Sequence, residues 1–259
     1  MFSTKKIFYD HHVNFSERSL IDYEISPGTN AKFNLIKKQL GKRQFNRAID
    51  IGCSGNSVLP FLDNIHQRFY LDIARNPLNQ FSHVQANFPL VSVLEKMALK
   101  QESFDLVTAL DVLEHVKDDT GAIQEIYRIL KPGGILLLYV PHRMKFYSYQ
   151  DMIIGHYSRY ELQGLRNLVE LHNMEYLRYF GIYGQAMRVQ LFQAANPEQT
   201  ERKLLELRNN YTENPVFRKI WKKVIKFGKF WMTLDAKFQP LPQIMNIGVI
   251  FQKKNPPFI

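Results

Sequence analysis

From about residue 47 onward, short apolar runs alternate with stretches of helical periodicity, and this alternation most constrains the fold. Arg47–Ile51 (RAIDI), Arg68–Asp72 (RFYLD), His83–Ala86, Phe104–Leu110 (FDLVTAL) and Ile135–Val140 read as successive strands. Ser57–Ile65 reads as a helix, with Pro60 in the first turn, where proline is tolerated. In Thr120–Leu130 the apolar residues fall at 123, 126, 129 and 130, which is helical spacing, and Lys131-Pro132-Gly133-Gly134 reads as a stop. Strand and helix alternating in this way predict a parallel, doubly wound α/β sheet.

After Pro141 the pattern changes. Arg159–Leu171 reads as a helix, Glu175–Tyr183 as an aromatic-rich strand, 198–209 and 215–234 as two basic helices, and Met245–Gln252 as a last strand. The expected organisation is an N-terminal helical segment (1–46), a core (47–185), a basic helical insertion (186–243), and a final strand with its tail (244–259).

Composition narrows the classes. With 45% hydrophobic and 13% aromatic residues in 259, the chain can bury a core, and a disordered reading fails. One cysteine excludes a disulfide framework and suits a reducing compartment, so a cytoplasmic location is expected. The longest purely apolar run, Ile135–Val140, is too short to cross a bilayer, and MFSTKKIFYDHH lacks the apolar stretch of a secretory leader. The net charge of +10 is uneven: residues 48–140 hold 7 basic and 11 acidic side chains, so the remainder carries +14. A basic surround suits an anionic partner or a solubilising surface.

The densest local signal is AIDIGCSGNS (48–57). A strand ends near Asp50, and Gly52 and Gly55 follow in a turn where the absence of Cβ lets the backbone approach a ligand. A dinucleotide loop would show G-x-G-x-x-G around a pyrophosphate; here the spacing is Gly52-x-x-Gly55 with a carboxylate two positions before. That carboxylate disfavours a pyrophosphate and suits a cationic ligand. Asp72, at the end of the second strand, is placed to accept hydrogen bonds from ribose hydroxyls. Together they define an adenosine-type site at the carboxyl edge of the sheet.

With AIDIGCSGN (48–56), YLDIA (70–74), QANFPL (85–90), FDLVTALDVLEHV (104–116), IYRILKPGGILLLYVPH (126–142) and GHYSRYELQGL (155–165) in this order, the chain resembles a known family. It is similar to the class I methyltransferases that use S-adenosylmethionine, in their small-molecule, UbiE/UbiG-like subgroup. The resemblance covers roughly residues 45–182. It implies a Rossmann-like, seven-stranded, mostly parallel sheet with the basic helices inserted before the last strand. It also implies S-adenosyl-L-methionine as cofactor, with S-adenosyl-L-homocysteine as product.

By the same resemblance, Asp50, Gly52, Cys53 and Gly55 would line the methionine end and Asp72 would hold the ribose. Ile73, Asn87 and Phe88 would meet the adenine, and Leu110, Asp111 and His115 would lie in the loop under the sulfonium. Two positions depart from the pattern: Ser57 stands where a third glycine is usual, and Asn87 where Asp is usual. The N-terminal segment, with Tyr9, His11, His12, Phe15, Arg18 and Tyr23, would fold over the cofactor and shape the acceptor pocket.

Methyl transfer to a hydroxyl needs a general base, and His142 and His156 follow the fifth strand, where an acceptor should lie. No metal centre is expected: Asp111 and Glu114 with one histidine on a single turn form a weak pattern. Cys53 reads as a small packing residue rather than a nucleophile. In Val216–Leu234, apolar residues at 217, 220, 221, 224, 227, 231 and 234 alternate with six basic ones, without an acid between Glu213 and Asp235. This basic amphipathic helix suits a peripheral membrane contact or a cover over an anionic acceptor, and Gly228 marks a bend.

The expected activity is O-methylation of a small-molecule, glycan or lipid-linked acceptor. The alternatives are an RNA methyltransferase, which no recognisable RNA-binding module supports, and a cofactor-binding protein without turnover.

Overall fold

The computed structural model describes residues 19–82, 84–184 and 197–256. Seven strands form one sheet: β1 Phe45–Ile51, β2 Ile65–Asp72, β3 Asn87–Val91, β4 Phe104–Leu110, β5 Leu130–Pro141, β6 Met174–Ile182 and β7 Asn246–Lys253. Their order is β3-β2-β1-β4-β5-β7-β6, with only β7 antiparallel to its neighbours. This is the expected mostly parallel, Rossmann-like arrangement. Its topological switch lies between β1 and β4, where parallel sheets of this kind bind ligands.

Both faces of the sheet are covered. Ile49, Val107, Leu136 and Leu138 face a core closed by α3 (Asp119–Ile129) and α5 (Leu162–Glu170). Ala48, Tyr70, Leu106 and Leu137 face a second core under α2 (Pro27–Leu40). The continuous apolar run Ile135–Val140 in β5 follows from this double burial. Ser26 caps α2 by accepting from the Thr29 amide at 3.2 Å, and Pro27 occupies its first turn.

The Pro-Gly-Gly segment departs from expectation. The α3 helix does end at Ile129, but Lys131–Gly134 forms the start of β5, with a register shift opposite Phe104–Leu106 and Gly133 at φ +74°. A glycine at positive φ lets the strand begin with an irregularity instead of a separate loop.

Between β6 and β7 lie α6 (Pro197–Glu213) and α7 (Pro215–Phe238). They are anchored on α1 (Asp22–Ile25) and α2. Arg208 donates to the buried Asp22 carboxylate at 2.9–3.1 Å, the Tyr211 hydroxyl donates to Glu24 at 2.6 Å, and Trp221 Nε1 donates to the Ile25 carbonyl at 3.0 Å. α7 runs through Gly228 without a break in the helix. The glycine serves a close approach: a Cβ there would sit 2.9 Å from Pro27 Cβ. Tyr23 stacks on Phe61 at 4.1 Å; Tyr9, His11, His12, Phe15 and Arg18 lie outside the described residues.

Among the described residues no helix is long and apolar enough to cross a membrane. Because Asp22 is buried against the guanidinium, Arg208→Ala should lower the unfolding free energy by about 2–3 kcal/mol, read as a lower denaturant midpoint.

Candidate active site

β1 delivers Asp50 to the carboxyl edge of the sheet, in register with Tyr70 of β2 and Thr108 of β4. Its side chain is 1% exposed. Ser57 Oγ donates to Oδ2 at 2.6 Å, and Thr108 Oγ1 donates to Oδ1 at 2.5 Å. Burial raises its pKa to about 6, against the pull of the two hydroxyls and of Lys32. Ser57, the departure from the usual glycine, therefore supplies one of this carboxylate's two hydroxyl partners.

The chain then reverses through Gly52 (φ +66°), Ser54 (φ +43°) and Gly55 (φ +74°). A Cβ on Gly52 would fall 2.4 Å from Val112 Cγ2, so glycine lets this turn lie against the loop after β4. The helix expected over 57–65 does not form; a single 3₁₀ turn, Leu59–Phe61, precedes β2 at Ile65. The turn consumes most of the short connection, and Leu62 is already extended. The backbone of the turn, not a helix terminus, thus faces the site. The Cys53 side chain points into the core beneath, where burial and the charges of Asp72 and Asp50 push its thiol well up, as suits a packing residue.

Asp72 ends β2 and is buried; Oδ2 accepts from the Ser54 amide and Oδ1 from the Ala74 amide, both at 2.8 Å. It thereby ties the glycine turn to the second strand. An ionised carboxylate has about four acceptor sites, and these amides take two of them. Ile73 follows, half-buried.

Asn87 and Phe88 require correction. They open β3, paired with Arg68 and Phe69, whereas Asp72 lies opposite Val91. Four and three residues of strand put Asn87 and Phe88 about 13 Å and about 10 Å from the edge that carries Asp72. Asn87 accepts from the Tyr70 hydroxyl at 3.4 Å, and Phe88 stacks on Phe69 at 4.6 Å. The cause is a shift of the third strand: Ala86 turns at φ +64°, and Asn87–Val91 pairs despite Pro89, because β3 is an edge strand. The residues at the edge are Ser92, whose amide donates to the Asp72 carbonyl at 3.0 Å, and Val93.

Leu110 ends β4, and Asp111 follows at φ +56°. Lys32, reaching from α2, donates to Asp111 Oδ2 at 2.6 Å and sits 5.0 Å from the Tyr139 ring centroid. The acidic and aromatic groups here already hold one cation, the chemistry that a sulfonium ligand requires. No pattern in the sequence singles out Lys32.

The two histidines part company. His142 is 1% exposed; its Nδ1 bonds the Ile244 carbonyl at 2.9 Å, and burial lowers its pKa. It is closed off between β5 and the residues before β7, and its Nε2 is buried without a hydrogen-bond partner. His156 Nδ1 lies 2.6 Å from Asp151 Oδ1, and its Nε2 lies 3.8 Å from Glu114 Oε1. Its ring meets His115 edge-on at 4.5 Å. Burial would raise the Asp151 pKa, but bonds from His156, Arg159 and Ser148 outweigh it and hold the carboxyl well below the usual range. Ser148 and Asp151 also form a capping box at the start of α4 (Tyr149–Ile153).

Glu114 is buried, and neither carboxylate oxygen has a hydrogen-bond partner. Burial, then the charge of Asp111, pushes its pKa well up. Ligand atoms of Glu114, His115 and His156 lie within 4.8 Å of one another, so by distance these three could hold one cation. The sequence pattern around Asp111 and Glu114 does not reveal this grouping, because His156 joins only in the fold.

A model of a methyltransferase domain family matches residues 49–138. Human mitochondrial arginine-hydroxylase NDUFAF5 is 33% identical over 121 residues, covering 41% of this chain and 34% of that protein. The ubiquinone biosynthesis O-methyltransferase of Xanthomonas oryzae is 34% identical over 99 residues, covering 36% and 41%. The chain thus spans about a third to two fifths of these curated relatives. A Haemonchus contortus phosphoethanolamine N-methyltransferase, solved with S-adenosylhomocysteine, superposes with a TM-score of 0.60 at 18% identity, covering 99% of this chain and 60% of that one. This last likeness concerns the fold.

The raised Asp50 pKa has a measurable consequence. As pH rises from about 4 to 6, the unfolded carboxyl ionises while the folded one stays protonated, so stability falls over that window by about 2–3 kcal/mol. Asp50→Asn should flatten this fall, read from thermal or denaturant midpoints across pH.

The match over 49–138 identifies this part of the chain as a methyltransferase domain, and the strand order agrees with the mostly parallel, Rossmann-like sheet of class I S-adenosylmethionine-dependent methyltransferases.

Proposed function

We propose that the protein transfers a methyl group from S-adenosylmethionine to a hydroxyl of a small-molecule, glycan or lipid-linked acceptor, with His156 as general base. The observation that carries this reading is the Asp151–His156 pair, buried on the Asp151 side and directed by Nε2 toward Glu114 and His115. With Nδ1–H donating to Asp151, the lone pair of His156 is on Nε2, free to take a proton from an acceptor hydroxyl. Arg159 fixes Asp151 from the far side through two bonds at 3.0 Å.

The other residues bind and orient. Asp72 would accept from the ribose hydroxyls, with Ile73 and Ser92 beside the adenine. Asp50 and the turn at Gly52–Gly55 would receive the methionine end, and Leu110 and Asp111 would border the sulfonium. Bound S-adenosylmethionine supplies an electrophilic methyl, so the protein's tasks are alignment and exclusion of water. A cytoplasmic setting suits the single buried thiol of Cys53.

Isothermal calorimetry should show S-adenosylmethionine binding by the wild type and its loss in Asp72→Ala; a wild type that does not bind refutes the cofactor assignment. With labelled cofactor, cell-extract fractions should yield a labelled small or lipid-linked product. Label confined to RNA, or no label despite binding, would favour the two alternatives instead. On the identified acceptor, His156→Gln should lower kcat by about 10²–10⁴-fold, with cofactor affinity retained.

A further inference from the structure

The structure divides the apolar residues of α7 into two faces. Trp221, Ile225, Gly228, Met232 and Ala236 turn toward α1, α2 and β6. A second set points outward: Val216 is 69% exposed, Ile220 58%, Val224 42%, Phe227 66%, Trp231 49% and Phe238 73%. Their steps of four, four, three, four and seven residues keep them within about 80° of helix circumference, a continuous stripe along a helix about 36 Å long. The stripe is therefore not the one that packs on the domain, although the sequence reads as a single apolar face.

The lysines complete the pattern. Lys219, Lys223 and Lys226 are exposed along one border of the stripe with Lys222 next to them, and no acid occurs between Glu213 and Asp235. We propose that α7 docks the protein on an anionic phospholipid bilayer, lying in the plane of the interface with this stripe inserted among the headgroups. Large apolar side chains beside a one-signed lysine row match both components of such a surface: the acyl boundary and the negative headgroup charge. An antiparallel pairing with a second copy of the chain fits worse, because it would bring two lysine rows together.

The opposite, packed face of α7 touches the helix that reaches the candidate site. Gly228 of α7 meets Pro27 at the start of α2, and Lys32 of that same helix holds Asp111. The inference does not depend on methyl transfer.

The test is sedimentation of the full-length protein with phosphatidylcholine vesicles, with and without phosphatidylserine. Wild type should pellet with the anionic vesicles, and raising salt should release it. Phe227→Ser combined with Trp231→Ser, and separately Lys222→Glu with Lys223→Glu and Lys226→Glu, should each weaken pelleting at least about tenfold. Calorimetric affinity for S-adenosylmethionine and thermal midpoint should stay at wild-type values, showing that the exposed changes leave the fold intact. Wild type that stays in the supernatant overturns the proposal, as does equal pelleting with neutral vesicles. A dimer in light scattering that the Phe227→Ser/Trp231→Ser variant converts to a monomer would assign the stripe to self-association instead.

Discussion

Asp50 is a carboxylate at the end of a central strand, removed from water and held by two hydroxyls, Ser57 from the turn and Thr108 from the neighbouring strand. Burying such a group is costly unless its lone pairs are satisfied, so its position fixes the groups around it. The turn must close back far enough for Ser57 to reach it, which forces positive φ at Gly52, Ser54 and Gly55. The reversed turn presents the Ser54 amide to Asp72 and brings Gly52 against Val112. The ends of β1, β2 and β4 are thus coupled through side chains, and the ligand edge behaves as one unit.

The charge distribution acquires a spatial meaning. Of the acids in residues 48–140, Asp50, Asp72 and Glu114 are buried near the carboxyl edge of the sheet, with Asp111 beside them. One cation from outside that segment, Lys32, already reaches in. The basic excess of α7 lies on an outer face, away from these carboxylates in sequence and chemically suited to a different partner. A protein can therefore hold a cationic cofactor and an anionic surface on one domain without the two fields cancelling, because screening is short-ranged in salt.

Much of this was legible in the residues. Asp50, the glycine turn and Asp72 come from strand ends whose apolar runs are long enough to place within one or two residues. Asn87 and Phe88 were misplaced because the third strand is a weak, edge element containing Pro89; its apolar signal does not distinguish 83–86 from 87–91. The helix after the glycine turn failed for a related reason: propensity does not measure whether a connection is too short once its turn has closed. His142 and His156 look alike as histidines following one strand. Burial beside Ile244 closes off the first, and Asp151 gives the second its orientation.

By itself the sequence determined the mostly parallel α/β sheet, its order of motifs and the two aspartates near the ends of β1 and β2, because these depend on local periodicity and on short-range spacing. Only the tertiary structure decided what meets across long separations. Examples are Lys32 with Asp111, Thr108 with Asp50, and His156 with Glu114 and His115. It also decided which half of α7's apolar residues is covered, since amphipathic periodicity shows that a helix has apolar faces but not which of them finds a protein neighbour.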